Sequence, residues 1–232
     1  PPPSSPQNQI VPEALITVIH DNRLPSEEKA ALVKQHSFDM MKSLFEQPTA
    51  ENIREAKKGI SQVVRLILKD DMTLHHLLNN TSYDYCTYTH SVNVGILSVA
   101  LSKAVFGLSS HHDLQALGAG FFLHDLGKIS VDKDIINKPG KLSDEESEQM
   151  RKHPVFGFKL LQETKQLTEE AKTIVLQHHE RADGKGYPKG LKSRDIHIYG
   201  KICAIADVYD ALTIDRPYRK KMKPFDALHL MR

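Results

Sequence analysis

The adjacent pair His124-Asp125, followed by Leu126-Gly127-Lys128, is the part of this chain best equipped for chemistry. It closes an apolar stretch, Leu114 to Leu123, that reads as a buried helix. An imidazole and a carboxylate are costly there unless a cation or a partner satisfies them. Farther along stand His153, His178-His179-Glu180 and Asp207, each in or beside another helical segment. Together they offer enough nitrogen and oxygen donors for two divalent ions, and an Asp can bridge such a pair. That chemistry points to hydrolysis rather than to a structural domain. A lone helical histidine is more often a hydrogen-bonded core or surface group. The doublets His75-His76 and His111-His112, set among polar residues, are assigned to the surface. The inference therefore rests on the conjunction of ligands and not on any one of them.

Positioning these groups requires helices. Residues 1–12 are rich in Pro and Ser and read as a flexible lead or linker. A helix is expected after Ser26, with Glu27 and Glu28 at the positive end of its dipole. Thr49 is placed to cap a second helix, on which Ile53, Ala56, Ile60, Val63 and Ile67 recur at three- and four-residue steps. That pattern covers only about two heptads, so it is read as packing within the chain rather than as a dimer's coiled coil. Residues 13–75 are taken as a helical connecting or signal-relaying region. Residues 76–232 are taken as a compact all-helical domain. Val92 to Leu101 form an apolar helix ending near Gly107, and Ser143 with Glu146 has capping-box spacing for a helix running to His153. Pro154 permits a new start, Thr168 opens another helix, residues 183–191 are a Gly- and Pro-rich loop, and Tyr199 to Thr213 is helical again. No alternating strand pattern is convincing, so the fold class is all-α.

Composition narrows the function. With 31 basic and 29 acidic residues the net charge is +2, too balanced for general DNA or RNA binding, although a local phosphate site is compatible with it. Two cysteines imply no disulfide framework and fit a cytoplasmic setting. No apolar run is long enough to span a membrane. The chain begins without Met and stops inside a helical stretch, so it is expected to be a fragment, truncated at its C-terminus.

Several segments together resemble the HD-GYP phosphodiesterases, members of the HD superfamily. They are His124-Asp125-Leu126-Gly127-Lys128, His153-Pro154-Val155-Phe156-Gly157, and the run from His178-His179-Glu180 through Gly186-Tyr187-Pro188. Thr89-His90-Ser91-Val92-Asn93, Ala206-Asp207-Val208-Tyr209-Asp210-Ala211 and Asp215-Arg216-Pro217-Tyr218-Arg219 match the same family. The resemblance covers about residues 83–230. It implies an HD-type helical bundle with an N-terminal helical extension that hydrolyses the bacterial messenger cyclic di-GMP to linear pGpG, or on to GMP. Attack on phosphorus would come from a hydroxide bridging two metal ions. Carried over by position, His90, His124, Asp125, His153, His178, His179 and Asp207 are metal ligands, with Asp125 bridging. Lys128 neutralises the scissile phosphate, and Arg216 and Arg219 grip substrate phosphate or guanine. Gly186, Tyr187 and Pro188 border the substrate cleft and are linked to protein partners.

Some family members carry a Glu four residues before His90, helping to hold a third ion. Cys86 stands there in this chain and reads as a small buried filler, so two ions are expected. In the family, that correlates with stopping at pGpG. Iron and manganese are favoured and nickel is acceptable; the sequence does not choose among them. A homodimer is compatible with all of this. Two other readings stay open: an HD-type phosphohydrolase acting on a dNTP or ppGpp, and a catalytically weak module that senses cyclic di-GMP or docks partners.

Overall fold

A computed structural model describes residues 12–79, 86–107, 111–165, 168–215 and 220–232. Among these residues lie twelve α-helices: α1 Glu13–His20, α2 Ser26–Glu46, α3 Ala50–Lys69, α4 Asp71–Asn79, α5 Thr87–Phe106, α6 Leu114–Phe122, α7 Lys133–Ile136, α8 Asp144–Met150, α9 His153–Thr164, α10 Glu169–Gln177, α11 Ile198–Thr213 and α12 Pro224–Met231. A 3-10 turn spans Leu126–Ser130. The described residues contain no strand, only an isolated bridge between Asp183 and Lys192. The fold is all-α.

The expected caps are formed. Thr49 accepts a hydrogen bond from the Asn52 backbone N–H at 3.1 Å, and Thr168 accepts one from Ala171 at 3.3 Å. Ser143 and Glu146 make the reciprocal capping box. Two boundaries differ from expectation. Ser26 is itself the first residue of α2 and makes no capping bond, because Pro25 precedes the helix. The helix opened by Ser143 stops at Met150, and His153 starts α9 with Pro154 in its first turn, where a missing N–H costs nothing.

α5 lies at the centre of the bundle. Val92, Val94, Ile96 and Val99 are all buried on it, and it packs against α2, α3, α6 and α11. Gly95 lets α6 approach closely: a Cβ there would fall 2.3 Å from the Phe122 ring. Gly107, with φ +65°, ends the helix in a conformation that glycine adopts without strain.

Residues 13–75 do not stand apart from this core. Met41, Leu44, Ile53, Ile60, Val63 and Ile67 are fully buried in the same apolar cluster as Val92, Leu117 and Phe121. At about 1.5–3 kcal/mol for each buried side chain, detaching these six would forfeit roughly 10–20 kcal/mol. Residues 13–75 are thus part of the same packed bundle. His112 also differs from its surface assignment. It is half-buried, stacks on Phe106 with ring centroids 4.1 Å apart, and its Nδ1 lies 2.8 Å from the Tyr199 hydroxyl. No helix among the described residues is long and apolar enough to cross a membrane.

Candidate metal centre

Three of the expected ligands sit just past the ends of helices and are oriented by the same backbone device. His124 Nδ1–H donates to the Phe121 carbonyl at 2.8 Å, His153 to Met150 at 2.7 Å, and His178 to Val175 at 2.8 Å. Each acceptor is one of the last carbonyls of its helix, which lack a partner within the helix. A carbonyl oxygen can only accept, so Nδ1 carries the proton and Nε2 is left for a ligand. His90 differs, because it lies in the first turn of α5, and its Nδ1–H donates to the Asp210 carboxylate at 2.6 Å.

The Nε2 atoms of these four histidines converge on Asp125. Its Oδ1 lies 3.2 Å from His153 Nε2 and 3.8 Å from His178 Nε2. Its Oδ2 lies 3.5 Å from His124 Nε2 and 3.6 Å from His90 Nε2. Asp207 stands 3.0 Å from His90 Nε2 and 3.5 Å from His179 Nδ1. Two groups result, Asp125 with His153, His178 and His179, and His90 with His124 and Asp207, each holding its ligand atoms within 4.8 Å of one another. One carboxylate thus turns an oxygen toward each group.

These residues fit a pair of cations. His153 Nε2 and His178 Nε2 face each other at 3.2 Å, although both rings commit their protons to backbone carbonyls on the Nδ1 side. His124 Nε2 and Asp125 Oδ1 are buried with no hydrogen-bond partner. Buried lone pairs left bare in this way are unfavourable unless a positive charge lies among them. Imidazole and carboxylate donors suit iron, manganese and nickel.

The electrostatics agree. Burial pushes the His124, His153 and His179 imidazoles below their ordinary pKa, so they are neutral and able to ligate. Burial opposes ionisation of Asp125, but Lys128, His124 and His153 together hold its carboxyl well below the usual range. Asp207 is likewise held low against its burial, chiefly by His90. His90 is raised well above its ordinary value, because Asp207 and Asp210 outweigh the effect of burial. The carboxylates that raise His90 would favour a metal ion at its Nε2 for the same electrostatic reason.

Around the centre, Lys128 Nζ contacts Asp125 Oδ2 at 2.6 Å. Gly186 lies directly against the His179–Arg181 backbone, where a Cβ would fall 2.3 Å from the Arg181 nitrogen. Tyr187 N–H donates to the His179 carbonyl at 3.1 Å, and its ring lies 4.7 Å from that of His179. The Tyr187-Pro188 peptide is cis. Burial raises the Tyr187 phenol, which stays protonated. Arg216 and Arg219 fall outside the described residues. Cys86 is not the buried filler expected. It is half-buried at the N-cap of α5, with its Sγ 3.2 Å from Thr89 Oγ1, and belongs to neither ligand group. Cys203 is the fully buried thiol.

Three residues with work at this site were given no specific role by the sequence, although Glu180 and Asp210 lie in segments it singled out. Asp210 is the partner of His90. Glu180, almost fully buried, accepts the backbone N–H groups of Lys189 and Leu191, both at 2.7 Å, and so folds the Gly186–Pro188 loop back on the site. Arg151 places its guanidinium 5.7 Å from the centre of the Tyr187 ring, within cation–π range.

Known proteins of similar sequence and shape bear on this arrangement. Residues 95–232 match the HD domain family. The chain is 34% identical over 213 residues to "Cyclic di-GMP phosphodiesterase PA4108" of Pseudomonas aeruginosa, an alignment covering 91% of this chain and 49% of that protein. It is 47% identical over 98 residues to "3'3'-cGAMP-specific phosphodiesterase 2" of Vibrio cholerae, covering 42% of this chain and 19% of the relative. The chain therefore spans about half, or less, of these relatives' length. Bd1817, a HDG"Y"P protein from Bdellovibrio bacteriovorus, shares the fold, with a TM-score of 0.78 at 23% identity over 94% of this chain and 70% of its own. The matched segment takes in His124-Asp125, His153, His178-His179 and Asp207, and the chain belongs to the HD domain family.

Proposed function

We propose that this chain is a metal-dependent phosphodiesterase that opens cyclic di-GMP to linear pGpG. The observation that carries the metal dependence is the convergence of four buried imidazole Nε2 atoms on the two oxygens of Asp125. Substrate identity is supported by the HD-GYP resemblance and by the activities named for the relatives. His153, His178 and His179 would hold one ion, His90, His124 and Asp207 the other, and Asp125 both. When bound, such ions polarise a phosphoryl oxygen and acidify a water.

The chain's own residues have separate tasks. The carbonyl-locked histidines keep their lone pairs aimed without reorganisation, which makes the centre preorganised. Lys128 sits within reach of both Asp125 and a phosphate beside it, and offsets charge that develops on the phosphoryl oxygens. Tyr187, packed between His179 and Arg151, walls the cleft on the side of the Gly186–Pro188 loop. The exposed part of that loop is the surface we assign to protein partners. Arg216 and Arg219 would clamp a phosphate, a task for which the planar guanidinium is suited. A reducing, cytoplasmic setting suits Cys86 and Cys203, which form no disulfide.

One alternative substrate has specific support: the 47% identical relative is named for 3'3'-cGAMP. Metal-loaded protein incubated separately with cyclic di-GMP, 3'3'-cGAMP, a dNTP and ppGpp, followed by chromatography, separates the cases. Conversion of cyclic di-GMP to pGpG is expected. Binding without cleavage would refute the enzyme reading, and faster turnover of 3'3'-cGAMP would refute the substrate. Elemental analysis should return two ions per chain; three would reject the two-metal centre.

A further inference from the structure

A cavity of about 430 Å³ opens between α2, α4, α5 and α11, and it contains none of the residues of the two ligand groups. Its size falls in the ~300–1,000 Å³ range of small-molecule sites. Leu77, Ile96, Leu97, Ile214 and Met222 give it an apolar lining. Three ammonium-bearing side chains, Lys34, Lys221 and Lys223, share that lining with the acceptors Asn93 and Asp210.

Two of these polar groups are buried. Asn93, one turn beyond His90 on α5, is 6% exposed, and its Oδ1 has no hydrogen-bond partner. An unsatisfied buried acceptor costs about 1–3 kcal/mol, and a ligand N–H would recover it. Lys34 is also 6% exposed. Burial pushes its ammonium down to about 8, with Asp210 acting in the opposite direction. A buried ammonium with two further lysines on the same wall excludes a cation and favours an anion. A phosphate complements the charge of the lysines, a flat heterocycle suits the apolar lining, and the N–H groups of a purine base match Asn93 Oδ1 and the Asp210 carboxylate.

We propose that this cavity is a second binding site, distinct from the metal centre, for a purine nucleoside monophosphate. The inference does not rest on the phosphodiesterase reading. Asp210 gives it a consequence, since the carboxylate lining the cavity is the one that holds His90 Nδ1 at 2.6 Å. A ligand N–H on Asp210 draws on the group that orients a residue of the metal centre, so occupancy and metal loading are coupled.

The chain has no tryptophan, so Leu78→Trp at the exposed rim of the cavity supplies a single fluorescent reporter. This protein would be titrated with GMP, AMP, ribose 5-phosphate and inorganic phosphate, with and without chelator, beside calorimetry on the unsubstituted chain. Saturable one-to-one binding of GMP or AMP is expected, at least tenfold tighter than either phosphate control, and it should persist in chelator with an affinity shifted by the coupling through Asp210. Lys34→Met, which keeps the apolar stem, and Asn93→Leu should each weaken it at least tenfold while leaving the helical circular dichroism unchanged. Absence of nucleotide binding by both methods would overturn the proposal. So would equal affinity for inorganic phosphate. Binding that disappears with chelator but survives Lys34→Met would place the nucleotide at the metal centre and also overturn it.

Discussion

Asp210→Asn is the most incisive substitution at the metal centre, because it changes one charge and almost no volume. Asp210 Oδ2 accepts from His90 Nδ1 at 2.6 Å, and both side chains are buried. That bond fixes the proton on Nδ1 and leaves Nε2 to face Asp207 at 3.0 Å and Asp125 at 3.6 Å. An amide weakens the arrangement in two ways. Its oxygen is uncharged, and a hydrogen bond to an ionised acceptor is roughly twice as strong as a neutral one. Its NH2 end, if turned toward His90, drives the proton to Nε2 and removes the ligand altogether. Loss of such outer partners typically lowers metal affinity about 10- to 100-fold, or about 1.4–2.7 kcal/mol. The expected effect is near 30-fold, confined to the ion held by His90, His124 and Asp207. The His153–His178–His179 site retains every one of its own hydrogen bonds. Competition with a chromophoric chelator at fixed pH should resolve two binding steps, of which one moves about 30-fold and the other less than threefold. Equal movement of both steps, or of neither, would refute the division of the ligands between two separate ions.

Other substitutions test other links. Gly127→Ala would set a Cβ 2.0 Å from the His153 carbonyl and 2.3 Å from the Gly157 nitrogen, both backbone atoms; urea unfolding should show about 3 kcal/mol of destabilisation. Glu180→Gln leaves one of the Lys189 and Leu191 N–H groups without an acceptor, so KM should rise several-fold with little change in kcat, and proteolysis within residues 184–191 should accelerate. Lys128→Ala should lower kcat by about 100-fold or more without weakening metal binding, since its ammonium competes for Asp125 Oδ2; unchanged kinetics would remove it from the reaction. Lys34→Met should show a pH-dependent gain in stability. The folded-state ammonium titrates at about 8 rather than 10.5, so the penalty is complete below pH 8 and fades as pH rises toward 10.5. At pH 7 the gain is at most about 3 kcal/mol; a gain that grows with pH would contradict the role of burial, with Asp210, Lys221 and Lys223 as the charges facing it.

Much of the site was legible because its ligands interrupt recognisable patterns. The run Leu114–Leu123 is so apolar that His124-Asp125 had to be buried, and a buried pair demands a partner. Thr49, Ser143 and Thr168 announced helices by local hydrogen-bonding chemistry, which needs no tertiary context. Periodicity fails where it reports that a face is buried without saying against what. The stripe Ile53–Ile67 was clear, yet nothing in it indicated that α3 would join the core beneath α5 and α6. Asp210 was obscured because α11 exposes Ile205 and Val208, 49% and 45% accessible, so hydrophobicity points away from its buried face. Lys34 was hidden for the opposite reason: its charge suggests a surface position, while its stem is long enough to lie inside.

The repeated backbone device explains why this constellation tolerates such distant sequence positions. In a continuing α-helix the carbonyl of residue i accepts from the N–H of residue i+4. The carbonyls that orient His124, His153 and His178 are free to do so because each helix ends there. At His153 the reason is covalent, since the donor that would compete for the Met150 carbonyl belongs to Pro154, which has no N–H. Terminating the helix and selecting the imidazole tautomer are thus one event, and the ligand geometry follows from where three helices stop. His90 cannot share this arrangement. It lies inside α5, where the Thr87 carbonyl already accepts from the Ser91 hydroxyl at 3.0 Å, so its orientation is delegated to the side chain of Asp210. That makes His90 the point at which a single carboxylate, shared with the neighbouring cavity, can tune the centre.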